Sequence, residues 1–202
     1  MVRRARESDA DGVARIVAAA LHAKYRPALG RAAERGIAAL MRHDLREVPT
    51  SRHWVAEADG ALAGAVHLVL GRDPDLGVAR ALAGAVGWPV TIRALAVLSM
   101  LASGHIADDE AYIDELAVAE WARRRGIARA LLARCERDAR LARKARLTLW
   151  VTIDNAAARR LYEAAGFREA RRRRWIAGRL LFRSPGAVFM ERRLAGERPS
   201  PG

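Results

Sequence analysis

Arg123-Arg124-Arg125-Gly126-Ile127-Ala128-Arg129-Ala130-Leu131-Leu132 follows Tyr112-Ile113-Asp114-Glu115-Leu116-Ala117-Val118. The second stretch reads as a strand, and the first as a Gly-containing turn that opens an amphipathic helix with Ile127, Ala130, Leu131, Ala133 and Leu141 at mostly helical spacing. A strand entering a helix through such a turn leaves backbone N–H groups unpaired and aimed outward, and the helix dipole adds to their pull on anions. A phosphate-bearing ligand fits a site of this kind. The pattern Arg-x-x-Gly-x-Ala is short, however, and in a chain rich in arginine and alanine it equally describes a solvated basic helix start. The surrounding sequence has to decide between the two.

Outward from this turn the chain alternates strand and helix patterns. Val2 to Arg6 predicts a first strand, and Ser8 or Asp9 an N-cap for a helix carrying Val13, Ile16, Val17, Ala20 and Leu21. A second helix is expected over about 31–45. His53 to Glu57 and Leu62 to Leu70 form a hairpin around Asp59-Gly60. An apolar insert over 72–109 is interrupted at Gly87-Trp88-Pro89, and each uncharged run beside Arg93 is shorter than the roughly 20 residues a membrane span needs. Leu147 to Ile153 is a β-branched strand. Asp154 or Asn155 caps a helix that stops at Gly166, and Phe167–Trp175 and Ala187–Arg193 supply two closing strands. The order β-α-α-β-β-insert-β-α-β-α-β-β predicts an α/β fold of the α+β type, with a mixed sheet. It is one domain over 1–195, followed by a disordered tail at 196–202.

Composition narrows the function classes. At 202 residues with 51% hydrophobic and 29% charged side chains, the chain can bury a sizeable core. The formal charge is +13, but 34 of the 36 basic side chains are arginine, and they are scattered along the chain. That reads as background composition more than as a nucleic-acid footprint, so a nucleic-acid partner is not expected. Arg171 to Arg174 reads as a charged strand edge. The single Cys135 excludes an internal disulfide, no Cys/His spacing suggests a metal site, and no signal peptide is seen. A cytoplasmic protein is expected.

Two blocks then resemble the GNAT superfamily of acyl-CoA N-acyltransferases. Leu116-Ala117-Val118 with Arg123-x-x-Gly126-x-Ala128 is similar to its pyrophosphate-binding motif. Asn155-Ala156-Ala157-Ala158-Arg159-Arg160-Leu161-Tyr162-Glu163-Ala164-Ala165-Gly166-Phe167 is very like its Asn-x-x-Ala-x-x-Leu-Tyr-x-x-x-Gly-Phe signature. Both blocks sit on the expected elements in the expected order. The resemblance covers 111–193 well and 1–70 loosely. It implies a mostly antiparallel twisted sheet flanked by helices; the apolar helical insert before the fourth strand departs from a minimal family member.

The resemblance also implies roles. Acetyl-CoA would be the acyl donor, with an amine as acceptor. The backbone of Arg124, Arg125, Gly126, Ile127, Ala128 and Arg129 would cradle the pyrophosphate, and Arg123, Arg124 and Arg129 would add charge. Leu116, Ala117 and Val118 would line the pantetheine, with the Leu116 N–H polarising the thioester carbonyl. Asn155 and Ala158 would border the same arm. Tyr162 is the candidate general acid for the leaving thiolate. Asp114 and Glu115 are candidate bases, with Glu110 a third. Strand alternation sends Asp114 and Glu115 to opposite faces unless a bulge intervenes, and Asp114, which shares the face of Tyr112, is favoured.

The leading expectation is therefore direct acetyl transfer to a primary amine in a ternary complex, with Cys135 inside a helix and not a covalent carrier. A protein N-terminus or lysine is the alternative acceptor. A CoA- or nucleic-acid-binding module without turnover is the alternative from another class. Trp88, Ile92, Leu95, Val97, Leu98 and Met100 of the insert either roof the acceptor site or serve as extra core or a homodimer contact. Acyl chain length stays open.

Overall fold

The computed structural model describes residues 1–71, 77–100, 106–175 and 184–194. The expected tail and residues 72–76 and 101–105 of the insert fall outside them. Seven strands form one sheet: β1 (Val2–Arg4), β2 (Ser51–Ala58), β3 (Ala61–Val69), β4 (Glu110–Val118), β5 (Arg146–Thr152), β6 (Arg168–Arg174) and β7 (Gly186–Arg193). Their spatial order is β1-β2-β3-β4-β5-β7-β6, and every neighbouring pair is antiparallel except β4–β5. The helices are α1 (Ala10–Ala20), α2 (His22–Leu29), α3 (Ala33–Glu47), α4 (Val78–Val86), α5 (Trp88–Ser99), α6 (Ile127–Leu141) and α7 (Ala156–Ala164).

Period-2 alternation divides the sheet into two buried faces. Trp54, Leu68, Ile113, Leu147, Leu149 and Met190 pack with Leu131, Leu132 and Cys135 of α6 and Tyr162 of α7. Val55 and Ala65 point the other way, onto Val13 and Val17 of α1 and Ile37 and Met41 of α3. The β2–β3 hairpin closes through Asp59 and Gly60, both at positive φ (51° and 75°), which the Asp-Gly pair accommodates and most side chains do not. The parallel pair β4–β5 needs a crossover, and α6 supplies it.

Three local expectations change. Helix α2 was not foreseen, because Pro27 and the polar Lys24 and Arg26 disguise its apolar face. The side chain of Asp9 does not cap α1. It accepts the Arg6 N–H at 2.7 Å and pairs with Arg3, which also holds Glu57, so it ties the chain start to β2. Asn155, not Asp154, is the cap of α7.

The insert does break in two at Gly87 (φ 81°), with Pro89 in the first turn of α5. α4 packs on α3, and α5 packs on α2, where Arg93 Nε donates to the Ala28 carbonyl at 2.9 Å. Leu82 and Ala94 are fully buried in the core shared with α1 and α3, and Val97 and Leu98 pack against it. Trp88, Ile92, Leu95 and Met100 face solvent. β6 is the fully exposed edge strand that its arginines suggested, with Arg171 stacked over Phe189 at 4.4 Å.

Candidate active site

The middle of the sheet comes apart at β4. Its parallel pairing with β5 runs only from Glu110↔Arg146 to Ile113↔Leu149. Beyond that point β4 stays with β3 as far as Val118↔Gly64, while β5 stays with β7 as far as Thr152↔Ala187. A wedge therefore opens between Asp114–Val118 and the end of β5. Ala119 N–H bonds the Ala63 carbonyl on β3. Backbone groups alternate sides along an antiparallel strand, so Ala117 also turns toward β3, and Leu116 and Val118 turn their N–H and C=O into the wedge. An extended ligand can pair there as an added strand.

At the end of the wedge the chain makes its anion cradle. Arg124 (φ 61°) and Gly126 (φ 77°) are left-handed, and Gly126 is the N-cap of α6 without a side-chain cap bond. The first intrahelical bond there is Ala130 N–H to the Gly126 carbonyl, so the N–H groups of Ile127, Ala128 and Arg129 are left for a ligand. A Cβ on Gly126 would meet no protein atom within 4 Å, so its missing side chain keeps space open for a ligand.

The arginines divide their labour. Arg125 is held by Asp59 at 2.6 and 3.2 Å and lies over Trp121, which ties the β2–β3 turn to the cradle. Arg123 approaches Glu120 at 3.8 Å. Arg124 and Arg129 form no ion pair among the described residues. Asn155 accepts the Ala158 N–H through Oδ1 at 3.1 Å, which leaves its amide NH2 as a donor at the wedge side of α7. Gly126→Val is expected to raise the KM for acetyl-CoA at least about tenfold with kcat at saturation little changed, as loss of uniform binding does. An unchanged KM would remove the cradle from the site.

The carboxylates lie on the other side of the wedge. The register of β3 and β4 shifts between His67↔Glu115 and Leu68↔Ile113, so Asp114 is an extra, unpaired residue. This bulge cancels strict alternation and brings both acids to one ammonium: Lys24 Nζ of α2 lies 3.2 Å from both Asp114 oxygens and 3.4 Å from Glu115 Oε1. Burial works to raise the Asp114 pKa, but the Lys24 charge and His67 outweigh it and hold the carboxyl well below its usual range. Burial works to lower Lys24, and Asp114, Glu115 and Tyr112 outweigh that and keep it charged. Glu110 stays on the paired half of β4, where the Thr148 hydroxyl donates to it and Arg146 lies near.

A polar cluster backs the acid pair. His53 and His67 are cross-strand partners with rings stacked at 4.1 Å and 10°. Ser51 Oγ touches both Nε2 atoms (3.3 and 2.6 Å), Asp44 Oδ2 is 3.2 Å from His53, and His67 Nδ1 is 3.7 Å from Asp114. Asp44, His53 and His67 bring one potential ligand atom each within 4.8 Å, the one such group among the described residues. Ser51 Oγ lies between the two Nε2 atoms and hydrogen-bonds them, so the group is held together as a hydrogen-bonded cluster. Burial and His67 together push His53 down to about 4, from an ordinary 6.5. The unfolded chain then takes up a proton that the folded one refuses, so this stability is present above pH 6.5 and is lost as pH falls toward 4. Urea midpoints should drop across that window, and less so in His53→Gln.

Tyr162 lies on α7 with its ring against Phe167 (5.7 Å), 8% exposed, and burial pushes its phenol up to about 12. Sequence reasoning missed Lys24, Asp44, His53 and His67, which come from four elements far from either motif. The single clue was that Lys24 is one of only two lysines.

The sequence profile of the acetyltransferase (GNAT) family matches residues 18–167, and the chain belongs to that family. It is thus an acetyltransferase, and acetyl-CoA is the donor this membership implies. Among solved structures it resembles the ribosomal-protein-S18-alanine N-acetyltransferase of Escherichia coli (TM-score 0.62, 18% identity, 100% of this chain and 98% of that one). It also resembles the ribosomal-protein-alanine N-acetyltransferase of Brucella melitensis (0.65, 20%, 96% and 99%). A putative acetyltransferase of Salmonella typhimurium with its cofactor acetyl-CoA is similar as well (0.64, 18%, 100% and 97%). No curated protein matches in sequence. Among the described residues no helix is long and apolar enough to cross a membrane.

Proposed function

We propose that the protein moves an acetyl group from acetyl-CoA directly to a primary amine bound at the Asp114–Glu115 side of the wedge. The observation that carries this reading is the wedge itself. Its outward-facing Leu116 and Val118 backbone joins the uncapped start of α6 at one end to a pair of carboxylates at the other.

Bound acetyl-CoA supplies the activated thioester. The Ile127, Ala128 and Arg129 N–H groups hold its pyrophosphate, with Arg124 and Arg129 adding charge. Leu116 and Val118 pair with the pantetheine arm, and Asn155 Nδ2 donates to it. The Leu116 N–H faces the thioester oxygen and steadies the negative charge that grows there. Asp114 binds the acceptor as a fixed negative charge, because a carboxyl held this far below its usual range is a poor proton acceptor. Glu115, with a single contact to Lys24, takes the proton of the incoming ammonium. Tyr162 donates a hydrogen bond to the departing thiolate. Cys135 is buried inside α6 with its thiol pushed up by burial and Asp138, so a carrier role is not supported.

Thiol release from acetyl-CoA, measured against small amines and peptides with free N-termini, tests the reading. Stimulation by at least one amine is expected, and no stimulation by any would sink it. A protein N-terminus is the second reading. The fold-level likeness to two ribosomal-protein-alanine N-acetyltransferases favours it, and peptides outperforming small amines would select it.

A further inference from the structure

Lys24 Nζ occupies the position that the proposed function gives to the acceptor amine. It is a primary amine in contact with both carboxylates of the β4 bulge, and Glu115 immediately precedes Leu116, whose N–H opens into the wedge. Its side chain is 24% exposed and crosses from α2 over the ring of Tyr25 (5.2 Å) to reach them. Composition sharpens the point. At 34 of 36 basic positions this chain uses arginine. A guanidinium would neutralise two carboxylates at least as well, through its planar fork. What lysine alone brings to this position is an acylatable nitrogen.

We propose that Lys24 is an acceptor of this enzyme's own acetyl transfer, a modification site built into the free active site. The inference rests on the acyl-transfer reading above. The Nζ–carbonyl carbon bond forms and the thioester C–S bond breaks. Of the two protons the ammonium gives up, one leaves through Glu115 to solvent and the other ends on the CoA sulfur. The product is the N-acetyl amide at Lys24 and free CoA thiol, so no further reactant is needed. The same carboxylates hold any cationic acceptor that enters, so whatever lets an external ammonium lose its proton there serves Lys24 as well.

Lys144 is the internal control. It lies in the turn between α6 and β5, donates to the Asp108 carbonyl at 2.7 Å and has no carboxylate partner among the described residues. Full-length protein is incubated with acetyl-CoA alone, and intact mass and peptide mapping follow each lysine. In a parallel tube an amine or peptide substrate is added. The expected result is a gain of one acetyl group at Lys24 about 10²-fold or more faster than at Lys144, the low end of what positioned acid–base catalysis supplies. The rate per molecule should not change with protein concentration. Lys24→Arg should lose this label while Lys144 keeps its slow background labelling.

Equal labelling of Lys24 and Lys144 would mean unassisted chemistry and would overturn the proposal. So would an unlabelled Lys24 in protein that acetylates the added amine, an outcome that leaves the proposed function standing. No label and no turnover with any amine would overturn both.

Discussion

Glu115→Gln is expected to lower kcat for acetyl transfer by about 10²- to 10⁴-fold, the range that a positioned general base contributes. Glutamine keeps the shape and one acceptor oxygen, so the loss isolates the ability to take a proton. The KM for acetyl-CoA should stay within about twofold, because the cradle at Gly126 lies at the other end of the wedge. Asp114→Asn is the comparison. Asp114 carries two contacts from Lys24 and a third neighbour in His67, and its carboxyl is held far below the usual range. Its loss should weaken binding of a cationic acceptor more than it slows the saturated enzyme. Steady-state thiol release in both variants decides the matter. A severe Asp114→Asn beside a mild Glu115→Gln would exchange the two roles.

Tyr162→Phe should reduce kcat by about 10²-fold while leaving the thermal midpoint unchanged or slightly raised. The ring packs on Phe167 in a core that includes Leu149, so phenylalanine preserves the packing. The hydroxyl is what changes. With its pKa pushed up to about 12, against about 8.5 for a free thiol, the phenol keeps its proton while the thiolate leaves and acts mainly as a hydrogen-bond donor. That mismatch places the expected loss at the low end of the general-acid range. A variant as active as the parent at saturating acetyl-CoA would remove Tyr162 from the chemistry.

The parts of the site that lie close together in sequence were legible there. Gly126 opens α6, and Asn155 caps α7, because turn and cap chemistry depends on a few adjacent residues. The strand reading of 112–118 and the apolar, β-branched run of 147–153 likewise identified β4 and β5. Helix α2 was not legible, because its stability comes from packing on α1, α3 and α5 and not from its own pattern. The two acids show the limit most clearly. Alternation placed Asp114 and Glu115 on opposite faces, and the bulge that joins them exists only because β3 sets the register of β4.

By itself, then, the sequence determined the family, the Gly126 turn that opens α6 and the Asn155 cap of α7, since each is written in a contiguous block whose local conformation follows from its own residues. Only the tertiary structure decided where the sheet splits, which backbone groups face the opening, and that Lys24 from α2 meets Asp114 and Glu115 some 90 positions away. The reason is physical. A wedge between strands and a shared ammonium are properties of neighbours in space, fixed by sheet register and helix packing, and no local period records them.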